Sequence, residues 1–158
     1  MKLGKITKLA ISLIACFATA FVGSIFTISA IPTWYAQLAK PSFAPPNWLF
    51  GPAWTLLYFL MAISLWLVWE KGFKAKGVRR AIGIFSFQLL LNALWSIAFF
   101  GLKSPLMGFL IIALLWYSIL STIVAFYKID KRAAWLLLPY IAWVSFASIL
   151  NFAVMVLN

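Results

Sequence analysis

Residues 34–54 read WYAQLAKPSFAPPNWLFGPAW and form the one long polar-aromatic interruption in an otherwise strongly apolar chain. The prolines in this stretch fix the backbone φ angle and lack an N–H donor, so it cannot form the interior of one helix. We therefore expect an ordered loop rich in aromatic side chains. Aromatic rings lose little entropy on ordering, which suits a lid over an apolar pocket. The alternative is that they only anchor the loop at a membrane interface.

The composition on both sides of this loop indicates a membrane protein. The chain is 66% hydrophobic and 9% charged, whereas a soluble domain has roughly 25% charged residues. A run that crosses the bilayer must satisfy its own backbone hydrogen bonds as a helix. We predict an all-α membrane protein, a single domain over residues 1–158 built as a five-transmembrane-helix bundle. The predicted spans are about 9–31, 52–69, 81–100, 106–127 and 133–157, with an outer loop over 32–51.

Local signals support these boundaries. Pro52 stands where a helix tolerates proline in its first turn, and the turn at 101–105 also ends in a proline that can open a helix. Pro139 should kink the last span. Cys16, after a basic start, also resembles a lipoprotein signal, but the apolar run continues too far beyond it for a signal peptide. We therefore keep the first span.

The basic residues alternate with the spans. Eleven of the thirteen Lys and Arg residues fall at the N-terminus, in the 70–80 connector and in the 128–132 connector. The positive-inside rule predicts a multi-pass protein of the cell inner membrane, if bacterial, with the N-terminus cytoplasmic and the C-terminus outside. The basic residues lie between apolar runs and form no continuous patch, so we expect no nucleic-acid partner.

The chain has few groups for acid-base or metal chemistry. It contains no histidine, and its only acids are Glu70 and Asp130, both at predicted span ends. We expect no metal site and no resident cofactor, and axial ligation of a haem by imidazole is excluded.

Two spans carry polar-aromatic stripes at helical spacing. Gln88, Asn92, Trp95 and Ser96 share one face of the third span. That face should point inward, either as hydrogen-bonding contacts between helices or as part of a ligand site. Trp116, in the fourth span, has no polar neighbour at helical spacing.

The fifth span carries the second stripe. It consists of Tyr140, Trp143, Ala147, Leu150 and Asn151. Small Ala147 leaves room beside Trp143. Two such faces beneath an aromatic lid predict a pocket open toward the outer side.

Several motifs resemble a known family. Trp34-Tyr35, the run 40–46 (KPSFAPP) and Trp54 resemble the signature of the translocator protein family, also called tryptophan-rich sensory proteins, TspO/MBR proteins or peripheral benzodiazepine receptors. Asn92, Trp95 and the FFG at 99–101 resemble the end of the family's third helix. The run 134–143 is similar to its fifth.

The resemblance implies a five-helix bundle, often a homodimer in the lipid bilayer, that binds porphyrins such as protoporphyrin IX and haem, or related hydrophobic molecules. Trp54 and Trp143 match the tryptophans implicated in light-dependent porphyrin degradation, a catalytic role that stays hypothetical here. Phe152 and Val156 depart from the family's C-terminal sterol motif, which puts sterol binding through that motif in doubt. The ligand-binding residues predicted from pattern and resemblance are Trp34, Tyr35, Lys40, Pro41, Pro45, Trp54, Gln88, Asn92, Trp95, Tyr140, Trp143, Ala147 and Leu150.

We thus predict a membrane receptor for porphyrins, with a Trp-rich pocket under the first loop. A porphyrin would bury its rings against tryptophans while its carboxylates meet Lys40 or an amide such as Asn92. Alternative functions are a small-molecule or sterol transporter, and a structural partner subunit of a membrane complex. Ion coupling usually needs an ionisable residue inside the bilayer, and no predicted span contains one.

Overall fold

The structure, a computed structural model, describes residues 3–158, and helices are the only regular elements in that range. The helices are α1 (Lys5–Ala30), α2 (Phe50–Glu70), α3 (Val78–Ser96), α4 (Pro105–Tyr127), α5 (Lys131–Leu136) and α6 (Leu138–Leu157). Two π-helical segments, Ile31–Tyr35 and Ile97–Gly101, extend α1 and α3, and a 3₁₀ turn, Asn47–Leu49, precedes α2. The all-α prediction is confirmed.

Five helical segments are long and apolar enough to cross a membrane. They are Lys5–Tyr35, Asn47–Glu70, Val78–Gly101, Pro105–Tyr127 and Lys131–Leu157. The last contains both α5 and α6. This confirms the number of spans predicted from the sequence.

The first span is longer than expected and the loop shorter. Helical backbone continues through the π-helical segment and on to residue 37, which leaves residues 38–46 non-helical. Pro32 lies inside this continuous helix, in the π-helical segment, where the changed hydrogen-bond pattern can leave out the bond that proline cannot donate. Trp34 and Tyr35, expected in the loop, are therefore helical.

The helices pack in an order set by short connections. Residues 102–104 turn α3 into α4, where the Ser104 hydroxyl caps the helix by accepting the backbone N–H of Met107 at 3.3 Å. Neighbouring pairs are α1 with α2 and α3, α4 with α3, α5 and α6, and α2 with α5. The helix of the last span is interrupted at Leu137, between α5 and α6 and two residues before Pro139. The sequence predicted a kink there from this proline.

Gly108 allows a close approach between helices. A Cβ built on Gly108 of α4 would lie 2.8 Å from the Phe99 ring and 2.9 Å from Oδ1 of Asn151. Any larger residue here would force α4 away from α3 and α6. This contact fixes the packing of three helices at the end of the bundle near the 102–104 turn.

Ion pairs connect helices at the opposite end of the bundle. Lys8 Nζ lies 3.1 Å from Glu70, and Lys71 Nζ lies 3.1 Å from Asp130. The Arg132 guanidinium also contacts Asp130, at 2.9 Å. The start of α1, the end of α2 and the start of α5 therefore lie at one end of the bundle; Lys2, counted with this basic group in the sequence, lies outside the described residues.

Asp130 is the centre of this cluster. Its side chain is 6% exposed, and its carboxylate also caps α5 by accepting the backbone N–H of Arg132 at 3.0 Å. Hydrogen bonds from Arg132 and Lys71 hold the pKa of the Asp130 carboxyl well below its usual range, against the opposing effect of burial. The charged form of Asp130 therefore stabilises the fold.

Candidate ligand-binding site

A buried hydrogen-bond network links three helices. Asn92 of α3 accepts a hydrogen bond from the Tyr58 hydroxyl of α2 at 2.7 Å and donates to the Tyr140 oxygen of α6 at 2.7 Å. Tyr140 in turn donates to Oε1 of Gln88 at 2.8 Å. All four side chains are at most 5% exposed. The two stripes predicted from the sequence therefore face each other inside the bundle.

The network bears on the two roles considered for these amides. Nε2 of Gln88 lies 3.8 Å from the Met61 sulfur, a weak contact, so this amide joins helices, and it does not line the cavity that lies between α1, α2 and α3. Asn92 bonds both tyrosines and also borders the cavity. One N–H of its amide and one lone pair of its oxygen remain free for a further partner.

A second set of hydrogen bonds connects the two stripes at the end of the bundle near the 102–104 turn. The indole N–H of Trp95 donates to Oδ1 of Asn151 at 3.1 Å, and Nδ2 of Asn151 donates to the carbonyl of Pro105 at 2.8 Å. Trp116 also has a partner, because its N–H donates to the Ser145 hydroxyl at 2.8 Å. Both indoles thus join helices through their polar edges.

A cavity of about 440 Å³ lies between α1, α2 and α3. Its walls are almost entirely apolar or hydroxyl-bearing. The lining residues are Phe17, Ala20, Gly23, Ser24, Thr27, Ile28, Ile31, Asn47, Trp48, Phe50, Gly51, Trp54, Thr55, Tyr58, Asn92, Trp95, Ser96 and Phe100. None of them carries a charge.

Aromatic rings form the inner wall of this cavity. The Trp54 ring lies 6.0 Å from Trp95 at an angle of 33° and 5.7 Å from Tyr58 at 34°. Its edge also contacts Tyr140, with centroids 6.3 Å apart. The tilted rings offer flat apolar faces, which suit a planar aromatic guest.

The mouth of the cavity lies between α1 and the start of α2. Lining side chains there are strongly exposed, with Ile28 at 71% and Trp48 at 72%. In a bilayer these surfaces face lipid or the membrane interface.

Lys40, expected to meet ligand carboxylates, is engaged elsewhere. Its ammonium donates to the backbone carbonyls of Tyr35, Ala36 and Leu38 at 2.9, 3.4 and 3.2 Å. It also lies 4.9 Å from the centre of the Tyr35 ring. These contacts cap the helix that extends α1, where a cation is favoured.

Several other predicted residues also lie outside the cavity. Trp34 packs edge-on against Phe99 at 5.4 Å, and Tyr35 is buried at 2% exposure. Ala147 and Leu150 are buried between helices, and Pro41 lies in the loop. Of the thirteen predicted residues, the cavity brings together Trp54, Asn92 and Trp95.

Trp143 lies behind Phe50. The two ring centroids are 6.2 Å apart, and Phe50 lines the cavity whereas Trp143 does not. Trp143 borders a separate shallow groove with Pro45, Leu49 and Phe146. Its indole N–H is buried and makes no hydrogen bond within residues 3–158.

Sequence reasoning missed the contribution of α1. Seven lining residues lie between Phe17 and Ile31. A signal for them was present, since Ala20, Gly23, Ser24 and Thr27 recur at intervals of three and four. Small residues at that spacing leave room on one helix face.

The chain is similar to known proteins over nearly its whole length. The model of the TspO/MBR family matches residues 12–157. A tryptophan-rich protein TspO from Archaeoglobus fulgidus is 52% identical over 97% of this chain and 98% of its own length. The translocator protein of Homo sapiens is 42% identical over 85% of this chain and 80% of its own length. A tryptophan-rich sensory protein of Cereibacter sphaeroides is 36% identical over 92% and 88%.

Proposed function

The chain belongs to the TspO/MBR family of multi-pass membrane proteins, and from this premise we propose that it is a receptor for porphyrins and related flat hydrophobic ligands. The observation that carries the proposal is the cavity between α1, α2 and α3, with Trp54 and Trp95 on its inner wall. Its volume of about 440 Å³ is within the range of roughly 300–1,000 Å³ typical of small-molecule sites.

The electrostatics of the cavity favour one orientation of a porphyrin. Because no lining residue is charged, ionised carboxylates would lose hydration inside without gaining a partner. The apolar edge of the ring therefore enters first, and the carboxylates remain at the mouth near Asn47 and Trp48. This differs from the sequence-based hypothesis of a contact with Lys40, whose ammonium is already bound to three carbonyls.

Binding is tested by titrating the purified protein with protoporphyrin IX in darkness while tryptophan emission is followed. Trp54→Phe should weaken binding about two- to tenfold, since a favourable aromatic pair contributes roughly 0.5–1.5 kcal/mol. Trp135→Phe is the matched control, because Trp135 lies on α5, away from the cavity, and is 63% exposed. Equal affinity of wild type and Trp54→Phe would refute the role given to this wall.

Light-dependent degradation is the enzymatic part of the proposal. Molecular oxygen would be the oxidant and the excited porphyrin the reacting species, with Trp54 at the ring and Trp143 one side chain further away, behind Phe50. Illumination of the bound complex should bleach the porphyrin more slowly in Trp54→Phe. Bleaching that is unchanged in Trp143→Phe would remove Trp143 from this reaction.

We further propose that the protein lies in the cell inner membrane as a homodimer, with the ion-paired end in the cytoplasm. The three basic segments meet at that end through Lys8–Glu70 and Lys71–Asp130, which fits the positive-inside rule. Chemical cross-linking in native membranes tests the dimer. A monomer band alone at every cross-linker concentration would contradict it.

A further inference from the structure

Ser96 differs from the other serine and threonine residues of the cavity wall. The hydroxyls of Ser24, Thr27 and Thr55 each donate to a backbone carbonyl of their own helix, at 2.7, 2.9 and 2.8 Å. Ser96 lines the same cavity and is 7% exposed, yet its hydroxyl makes no hydrogen bond to any residue that the structure describes. Its oxygen is not one of the fully enclosed unpaired atoms of the described residues, so it is accessible from the cavity, where a ligand or a water can supply the missing partner.

The surroundings of Ser96 explain why its hydroxyl is free. Ser96 is the last residue of α3 before the π-helical segment Ile97–Gly101, and such segments are frequent at functional sites. On the facing helix stands Gly23, where a Cβ would lie 3.0 Å from the Ser96 oxygen. Glycine at this position keeps the space beside the hydroxyl open.

We propose that Ser96 is the hydrogen-bonding anchor of the cavity, and that the preferred ligand is a flat apolar molecule with an acceptor atom, such as a carbonyl oxygen or a ring nitrogen. This inference rests on the part of the proposed function that places a ligand in the cavity. The ring body lies against Trp54 and Trp95, and the Ser96 O–H donates to the acceptor. Ser96 thereby selects among molecules of similar shape.

Three other polar groups of the wall are less suited to this role. The Asn92 amide keeps one free N–H, but its bonds to Tyr58 and Tyr140 fix its orientation. The Asn47 side chain is exposed at the mouth, where water competes for its hydrogen bonds. The indole N–H of Trp54 also makes no hydrogen bond among the described residues, but this side chain is only half-buried. A hydrogen bond gains most where water is excluded, which favours Ser96.

The test compares two probes that share a ring skeleton. Anthraquinone carries two carbonyl oxygens and anthracene carries none. We expect the preference for anthraquinone over anthracene to be about three- to tenfold greater in the purified wild-type protein than in Ser96→Ala, the value of one neutral hydrogen bond. Quenching of tryptophan emission reports binding. Partition of each probe into detergent is the same for every variant, so it cancels when variants are compared.

Two variants test the contribution of the Ser96 hydroxyl by itself. Ser96→Ala removes no hydrogen bond within the described protein, so it should fold normally and lose this part of the preference for anthraquinone. Ser24→Ala is the matched control, because it deletes a hydroxyl of the same cavity that is already bound to a carbonyl. It should keep the preference.

The outcomes separate this inference from the porphyrin proposal. A preference of equal size in wild type and in Ser96→Ala overturns the role of Ser96. Failure of both probes to bind overturns it as well. A Ser96-dependent preference together with no binding of protoporphyrin IX would support the anchor and refute only the porphyrin receptor.

Discussion

Tyr140 occupies the centre of a network that no single helix could complete. Its hydroxyl accepts from Asn92 and donates to Gln88 while the side chain is 1% exposed. Removing the hydroxyl leaves a buried donor and a buried acceptor without a partner. The network therefore fixes how α3 and α6 meet behind the cavity wall.

Tyr140→Phe should lower the stability of the protein by about 1–2 kcal/mol, given the strength of hydrogen bonds between membrane helices. This corresponds to a decrease in Tm of roughly 2–8 °C for a protein of this size. Thermal unfolding in detergent is the measurement. Tyr117→Phe is the control, since Tyr117 is 69% exposed on α4; equal Tm values for the two variants would contradict the network's role.

The Asp130 carboxylate should make the free energy of unfolding of the protein depend on pH. Because its folded-state pKa is depressed, its contribution is present above the unfolded pKa of about 4 and is lost as the pH falls below that value. Asn retains the helix-capping ability but not the charge. Asp130→Asn should be less stable than wild type by about 1–3 kcal/mol at pH 7.

The difference in stability between wild type and Asp130→Asn should shrink as the pH decreases from about 4 toward 2. The measurement is thermal unfolding in a detergent that does not titrate. A difference that stays constant over that interval would show that the Asp130 charge is not responsible.

At the scale of elements, the approach of α4 to α3 and α6 depends on Gly108. A Cβ there would meet both Phe99 and Asn151 at under 3 Å, and the Asn151 amide also holds Trp95. Gly108→Ala should therefore destabilise the bundle by about 1–3 kcal/mol, as overpacked cores do.

Gly83→Ala on α3 is the matched control for this substitution. A Cβ at Gly83 would meet nothing within 4 Å, so the higher helix propensity of alanine should leave stability unchanged or raise it by up to about 1 kcal/mol. Equal unfolding temperatures for the two variants would mean that the close approach at Gly108 is not needed.

The sequence predicted the helices and their boundaries more accurately than it predicted the contacts between side chains of different helices. Apolar runs and basic connectors gave five spans, and Pro139 gave the break before α6, because length, hydropathy and proline chemistry act locally. Ser96 was correctly placed on an inward face, but its free hydroxyl depends on Gly23 of another helix. The occupation of Lys40 by carbonyls likewise follows from the path of the loop, which residue spacing does not reveal.

At the scale of the whole molecule, the ends of the bundle differ in charge. The orientation is tested with single cysteines in a Cys16→Ala background, labelled in intact cells with a membrane-impermeant thiol reagent. Cysteine at Ser42 should react and cysteine at Ala75 should react only after lysis, because the proposed orientation puts the basic 70–80 connector in the cytoplasm. The reverse pattern would invert the proposed orientation.

The way the helices pack in the whole bundle explains why the position of the pocket was only partly predicted from the sequence. The stripes on the third and fifth spans do meet, but they satisfy each other through Asn92, Tyr140 and Gln88. The open space lies beside the same stripe of α3, where Asn92, Trp95 and Ser96 face the small residues of α1. Which part of the stripe remains uncovered depends on the volume of the side chains opposite.

The most direct test is an experimental structure of the protein with protoporphyrin IX bound. We predict that the ring lies between α1, α2 and α3, against Trp54 and Trp95, with its carboxylates toward the mouth at Asn47 and Trp48. A porphyrin found in the groove beside Trp143, or with its carboxylates at the inner wall, would contradict the account.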